Sequence, residues 1–430
     1  FKEMGNFEYI IFNSLSEFIY LFKNKQIQPN LKNYGNLTLI NKTLQNCYLN
    51  SNRSDDYFLN LLNSQDADFT RYNFFYLGFL IDKNNFSLAH KISNNLNSLN
   101  NTLLVSQAKE WIENNKYELF TDYFKCNSEN DLLAEFFFLI ANLYSSEEDY
   151  KKSNYYLNIS KYLNPKFYFN TTLEVENYLV NERFKEAKNL LKKMSDKNLI
   201  YNWYKIKQNT KIISKLENDE LAFKYLNKKF KEFKNPSTKI IFDMANYFKN
   251  KKKYEIAIKY YTEVLGNLSK NSNTYSDVLY KRGACFERLG RHVDSDTDLL
   301  NALKINPDDS YLLNYLAYSW LERNYKIDEA ITLLKKAYNL NKNDPYIIDS
   351  IGWGYYLIND FDKAESYMIQ AVQLMPLDPV VNDHYGDILW KLNRKLEAKY
   401  FWKNTLDLEK TDEEMKKKIL IKLLQGIPKT

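Results

Sequence analysis

Two consecutive stretches decide the fold: Asp344–Pro376, DPYIIDSIGWGYYLINDFDKAESYMIQAVQLMP, and Asp378–Leu408, DPVVNDHYGDILWKLNRKLEAKYFWKNTLDL. Gly352 and Gly386 stand 34 residues apart, as do Ala364 and Ala398, and Asp344-Pro345 and Asp378-Pro379 recur at the same interval. A fixed period in the thirties that carries two helical patterns marks a repeat of helical hairpins. Asp caps the free N–H groups at the start of the first helix, and Pro at the first helical position loses no bond it could have made. The glycine lets the two helices approach closely. The alanine serves the same purpose from the second helix, with Tyr355 or Leu389 filling the space beside it. Met368, Ala371 and Trp402 continue the inner stripe at helical spacing, and Pro376 ends the second helix.

A small residue at position eight, a bulky apolar one at eleven, Ala at twenty and Pro at thirty-two is the tetratricopeptide (TPR) pattern. It extends upstream. Ala317, Trp320, Ala330, Leu334 and Ala337 form one unit, and Gly283, Phe286, Leu299, Ala302 and Pro307 the unit before it. Ala245, Phe248, Ala257 and Tyr261 form another. The step from Ala245 to Gly283 is 38, which places a longer turn near Gly266 to Thr274. The step from Ala317 to Gly352 is 35, which places one extra residue at Asn324 to Asp328. Weaker units hold Ala141, Tyr144, Ser153 and Pro165, then Val175, Tyr178 and Ala187, then Ala222 with Leu226. About seven units are read after residue 135.

The fold class expected is therefore all-α, a solenoid of TPR and TPR-like helical hairpins wound as a right-handed superhelix. Residues 1–130 read as degenerate hairpins: Phe7 to Phe22 and Phe74 to Ile92 are amphipathic, with Leu77, Leu80 and Ala89 near TPR places. The Asn-rich run Ser93 to Asn101 reads as a turn. Residues 131–410 read as the TPR array, with the best repeats in 240–410, and residues 411–430 as a C-terminal capping helix. In that helix Met415, Ile419, Leu423 and Leu424 are expected to pack on the last repeat. An amphipathic helix lying on a membrane surface is the rival reading.

Ten glycines and eight prolines in 430 residues disfavour turn-rich β folds, and a 44% hydrophobic content suffices for a core. A net charge of +6 without a basic block gives no nucleic-acid signature. No apolar run reaches the length of a membrane helix. Cys47, Cys126 and Cys285 are widely spaced, which excludes a disulfide scaffold and a cysteine zinc site. The chain begins at Phe1 and enters mid-pattern, so an N-terminal piece is expected to be missing.

No catalytic motif of the zinc-protease, Walker, dinucleotide-binding or serine-hydrolase type is present, so no enzyme activity, cofactor or metal is expected. The one dense polar cluster is Asn382, Asp383 and His384, with Asp387 a turn further on. It admits a metal or acid–base reading, against the plainer one of groove-lining positions in a first helix.

In TPR geometry, positions two, five, six, nine, twelve and thirteen of the first helices line the binding groove. In register these are Tyr280, Lys281 and Arg288; Asn314, Tyr315 and Tyr318; Asp349, Trp353 and Tyr356; and Asp383, His384, Asp387 and Trp390. Aromatic anchors and amides suit a protein or peptide segment, apolar or basic in character given the carboxylates toward the C-terminal end. Lys281 and Arg288 lack the repeated partners of a clamp for a C-terminal carboxylate.

The segment from Gly283 to Trp402 resembles the C-terminal repeats of a bacterial TPR family that includes LbcA, the periplasmic lipoprotein adaptor of a C-terminal-processing protease. The resemblance implies a non-enzymatic scaffold attached to the outer membrane that brings a protease to its substrates. It implies a periplasmic or outer-membrane-attached location, with the cytoplasm as the alternative. The competing functions are an envelope assembly factor that binds other subunits, and an enzyme whose catalytic domain lies in the missing N-terminal part.

Overall fold

The computed structural model describes residues 4–29, 32–64, 68–97, 99–194 and 199–427. Among these residues the secondary structure is entirely helical and the helices number 24. The chain divides into two compact units, Phe1–Pro236 and Ser237–Thr430.

Unit 1 opens with α1 (Met4–Asn24), α2 (Asn36–Tyr48), α3 (Ser54–Asn63), α4 (Tyr72–Asp82), α5 (Phe86–Asn95), α6 (Leu103–Glu113) and the single turn α7 (Glu118–Tyr123). Three hairpins follow: α8 (Glu129–Ser146) with α9 (Tyr150–Leu163), α10 (Asn170–Val180) with α11 (Phe184–Lys193), and α12 (Leu199–Leu216) with α13 (Asp219–Lys231). The degenerate hairpin read at Phe74 to Ile92 is α4 with α5, and Leu77, Leu80 and Ala89 are all buried.

Aromatic rings fill the irregular region in place of small-residue contacts. Phe74 packs on Trp111, Phe120, Phe167 and Phe169, with centroids 5.5–6.2 Å away. The buried carboxylate of Glu135 accepts two hydrogen bonds from Arg71, at 2.8 and 2.7 Å, and the guanidinium lies 3.8 Å from the ring centre of Phe138. Charge pairing and ring contact together hold a cation that burial alone would expel.

One expectation is corrected here. Cys47, at the end of α2, and Cys126, in the turn before α8, form a disulfide with Cα atoms 5.5 Å apart. Their separation of 79 residues gave no local signature. Cys285 is a free, buried thiol, and burial pushes its pKa up to about 11.

Unit 2 is the regular part. Its helices pair as α14 (Thr238–Asn250) with α15 (Tyr254–Gly266), α16 (Asn273–Arg288) with α17 (His292–Ile305), α18 (Ser310–Glu322) with α19 (Ile327–Leu340), α20 (Pro345–Leu357) with α21 (Phe361–Leu374), and α22 (Pro379–Lys391) with α23 (Lys395–Asp407). The single helix α24 (Glu413–Gln425) follows.

The turn inside each hairpin passes through a left-handed residue: Lys252, Gly290, Asn324, Asn359 and Asn393. Their steps of 38, 34, 35 and 34 reproduce the steps between the small residues at position eight. The extra residue of the third turn appears as a second left-handed residue, Lys326 at φ 48°. Asn tolerates this conformation because its short polar side chain bonds locally.

Asp309, Asp344 and Asp378 each accept two backbone N–H groups at the start of their helices. A Cβ on Gly386 would fall 2.5 Å from the Trp402 ring, so only glycine permits this approach. Among the described residues eight hairpins stand after residue 128, where the pattern gave about seven. The most weakly read was α12 with α13, marked only by Ala222 and Leu226 on its second helix, because its 18-residue first helix carries no glycine or alanine.

Candidate functional site

The first helices of unit 2 lie side by side: α18 touches α20, and α20 touches α22. The residues expected to line the groove fall on these helices and sort into an open shelf and a closed end.

The shelf begins at Tyr280 and Tyr315, whose rings meet edge to face at 5.2 Å. The Tyr315 hydroxyl donates to Glu287 at 3.2 Å, and Arg288 pairs with the same carboxylate at 3.4 Å. Arg288 is exposed and Lys281 half-buried. Burial lowers the Lys281 pKa, and nearby Lys249 lowers it further. Its ammonium lies 5.9 Å from the Phe242 ring centre. Tyr318 and Tyr356 are half-buried, and desolvation raises both hydroxyl pKa values. The side-chain oxygen of Asn314 is buried with no hydrogen-bond partner among the described residues.

Trp353 joins the shelf to the closed end. Its ring stacks on Tyr356 of its own helix at 4.6 Å and on His384 of the next repeat at 4.2 Å. His384 Nδ1 bonds to Asp349 Oδ1 at 2.9 Å, and both side chains are buried. Burial disfavours the imidazolium. The charge and hydrogen bond of Asp349, with the charges of Asp383 and Asp387, outweigh it and lift His384 to about 9. The ring is therefore cationic at neutral pH, and the pair is an ion pair between neighbouring repeats.

Asp383 and Asp387 do not form an open acid pair. Lys422 of α24 reaches between them, with Nζ at 2.7 Å from Asp383 and 2.8 Å from Asp387. The Trp402 indole N–H donates to Asp387 at 3.0 Å. Burial pushes the Asp387 carboxyl up to about 6, against the pull of Lys422. The metal or acid–base reading of this cluster gives way to an internal counter-ion.

Trp390 packs against Trp402 at 5.2 Å, carries Lys395 over its face at 3.8 Å, and abuts the backbone of Gly426. Of the expected groove residues, Arg288 is exposed and Tyr280, Lys281, Asn314, Tyr315, Tyr318, Trp353 and Tyr356 are half-buried, Asp349 and His384 are buried as a pair, and Asp383, Asp387 and Trp390 anchor α24.

The stripe expected on α24 holds for Ile419, which is fully buried, and for Met415 and Leu423, which are half-buried. It fails at Leu424, which is 83% exposed. Lys422 and Gly426, rather than Leu424, are the residues that meet α22.

Three shelf residues were not named from sequence: Tyr311, Tyr346 and Val380, at position two of α18, α20 and α22. Lys422 was also missed. Its signal was available, since the capping residue Asp412 stands 34 after Asp378 and puts α24 in register as a further first helix. Among the described residues no helix is long and apolar enough to cross a membrane.

No protein-family model matches the chain. The chain is 35% identical over 111 residues to TPR repeat-containing protein PA4667 of Pseudomonas aeruginosa, a match that takes in 26% of this chain and 19% of that protein. It is 29% identical over 149 residues to TPR repeat-containing protein MJ1428 of Methanocaldococcus jannaschii, covering 33% and 24% respectively. The chain thus spans less than a quarter of the length of these curated relatives. A thermophilic TPR protein of Thermus thermophilus, of known crystal structure, aligns over 44% of this chain and all of its own, at 18% identity and a TM-score of 0.38.

Proposed function

We propose that this TPR array is a non-catalytic scaffold that holds a segment of another protein on the first-helix face of unit 2. The observation that carries this reading is the shelf from Tyr280 to Tyr356. Large aromatic side chains there remain half-exposed on successive repeats instead of closing into the core. Rigid aromatics offer wide contact at low entropy cost, and the repeats fix their spacing.

The scaffold works in the cell envelope, on the periplasmic side or attached to the outer membrane, and recruits a C-terminal-processing protease to its substrates. The resemblance of Gly283–Trp402 to the lipoprotein-adaptor family supports this reading. So does the Cys47–Cys126 disulfide, because such bonds persist in oxidising compartments.

The test is reconstitution with the purified processing protease of the same cells. The scaffold is expected to retain the protease on a column and to speed cleavage of a protein substrate. A Tyr346→Ala/Tyr356→Ala variant of unchanged helicity should lose both effects. Equal retention by parent and variant would move the interface off this face.

A further inference from the structure

Tyr311, Tyr346 and Val380 are 62%, 57% and 40% exposed. Each lies two residues after a capping aspartate whose carboxylate accepts its N–H, at 3.0, 3.0 and 2.9 Å. The caps fix these backbones, so three apolar side chains occupy equivalent places on three adjacent first helices. Beside them lie the half-buried rings of Tyr315, Tyr318 and Trp353. We propose that this face binds an uncharged, proline-rich segment in the polyproline II conformation, with an apolar side chain at every third residue. The proposal rests on the groove reading above and names the kind of segment held.

Three observations converge on it. The first is spacing. Packed helices lie about 8–10 Å apart, and a polyproline II chain advances about 3.1 Å per residue with three residues per turn. One face of such a ligand therefore recurs about every 9 Å, once per first helix. A β-strand presents the same face about every 6.6 Å and falls out of step after one repeat.

The second is the Asn314 oxygen, buried without a partner. Asn314 itself is half-buried, and its oxygen would accept a main-chain N–H of the ligand only once the amide turns outward. An α-helical ligand could also span the repeats, but its interior N–H groups are consumed within the helix. A polyproline II chain keeps its polar backbone groups free.

The third is charge. Asp349 is paired with His384, Glu287 with Arg288 and the Tyr315 hydroxyl, and Asp383 and Asp387 with Lys422. A basic ligand would find these carboxylates already engaged, which favours an uncharged segment over a basic one. Aromatic-lined grooves take such pre-ordered chains at low entropic cost.

The test is calorimetric titration of the full chain with end-blocked peptides of equal length. One repeats Leu-Pro-Pro, one alternates Leu and Pro, and one repeats Leu-Pro-Lys. The Leu-Pro-Pro peptide is expected to bind about tenfold more tightly than either of the others. Tyr311→Ala/Tyr346→Ala, both at exposed positions, should weaken its binding about tenfold with the circular dichroism unchanged. Asn314→Ala should weaken it as well. Equal affinity for the three peptides, or binding that survives the tyrosine pair variant, overturns the proposal. If no peptide of the series binds while Tyr346→Ala/Tyr356→Ala still abolishes protease capture, the polyproline proposal falls and the groove reading stands.

Discussion

Gly386 and Gly352 occupy the same register position under unequal pressure. A Cβ on Gly386 would fall 2.5 Å from two atoms of the Trp402 indole, which is itself held by its bond to Asp387. A Cβ on Gly352 would meet the mobile end of Met368 at 3.2 Å and a backbone oxygen at 3.3 Å. Gly386→Ala is therefore expected to destabilise the last hairpin by about 2–3 kcal/mol. Gly352→Ala should cost about 1 kcal/mol, because a methionine terminus repacks easily. Urea titrations of the two variants against the parent check the ranking.

His384 makes the same region respond to pH. Its folded pKa of about 9 exceeds the ordinary 6.5, so the stabilisation is fully present below pH 6.5 and is lost as pH rises through 9. The swing is on the order of 3 kcal/mol. Thermal melts of the parent should fall between pH 6.5 and 9, and His384→Gln should flatten that part of the profile. The face on which these residues sit follows from the 34-residue phase of Gly352 and Gly386. Their pairing does not. Asp349 and His384 lie 35 residues apart in sequence, and nothing in a helical pattern says which polar groups of adjacent helices will meet.

At the scale of one helix, α24 stands in register as a further first helix and is tied down by Lys422. Removing that ammonium leaves Asp383 and Asp387 as neighbouring, largely buried carboxylates without their counter-ion. Lys422→Ala is expected to cost about 3 kcal/mol, seen as accelerated amide exchange across residues 413–425. Asp387→Asn in the same chain should recover part of it, since the amide oxygen still accepts from Trp402.

The helix itself was legible from its acidic first turn, its lysines and Gly426. Its docking was not. The periodicity that places Met415 and Ile419 inward says only that an apolar stripe exists. Lys422 shares that inner face because two carboxylates await it there, a fact of three-dimensional neighbourhood. The hairpin α12–α13 was legible only from Ala222 and Leu226 on its second helix, because its first helix carries no glycine or alanine.

For the molecule as a whole, repetition made unit 2 readable, and its weakening left unit 1 legible only in part. Each regular hairpin restates the same local rules, so a 34-residue step reveals the architecture. Unit 1 is held by contacts distant in sequence, above all the Cys47–Cys126 bond across 79 residues. Closing a loop of that length contributes about 4 kcal/mol in the chain-entropy account. The Cys47→Ser/Cys126→Ser variant should lower the melting transition of unit 1 accordingly. A reducing agent should reproduce the shift in the parent and leave the variant unmoved.

The Lys422 contact also bears on how unit 2 yields to force. Stretched from its C-terminal end, a stack of nearest-neighbour hairpins unravels one member at a time. Each member releases about 34 residues, or roughly 110–120 Å of slack chain when fully extended. The first rupture is the release of α24 from Asp383 and Asp387, a shorter event than those behind it. Until that bolt is drawn, the hairpins upstream transmit the load without unravelling.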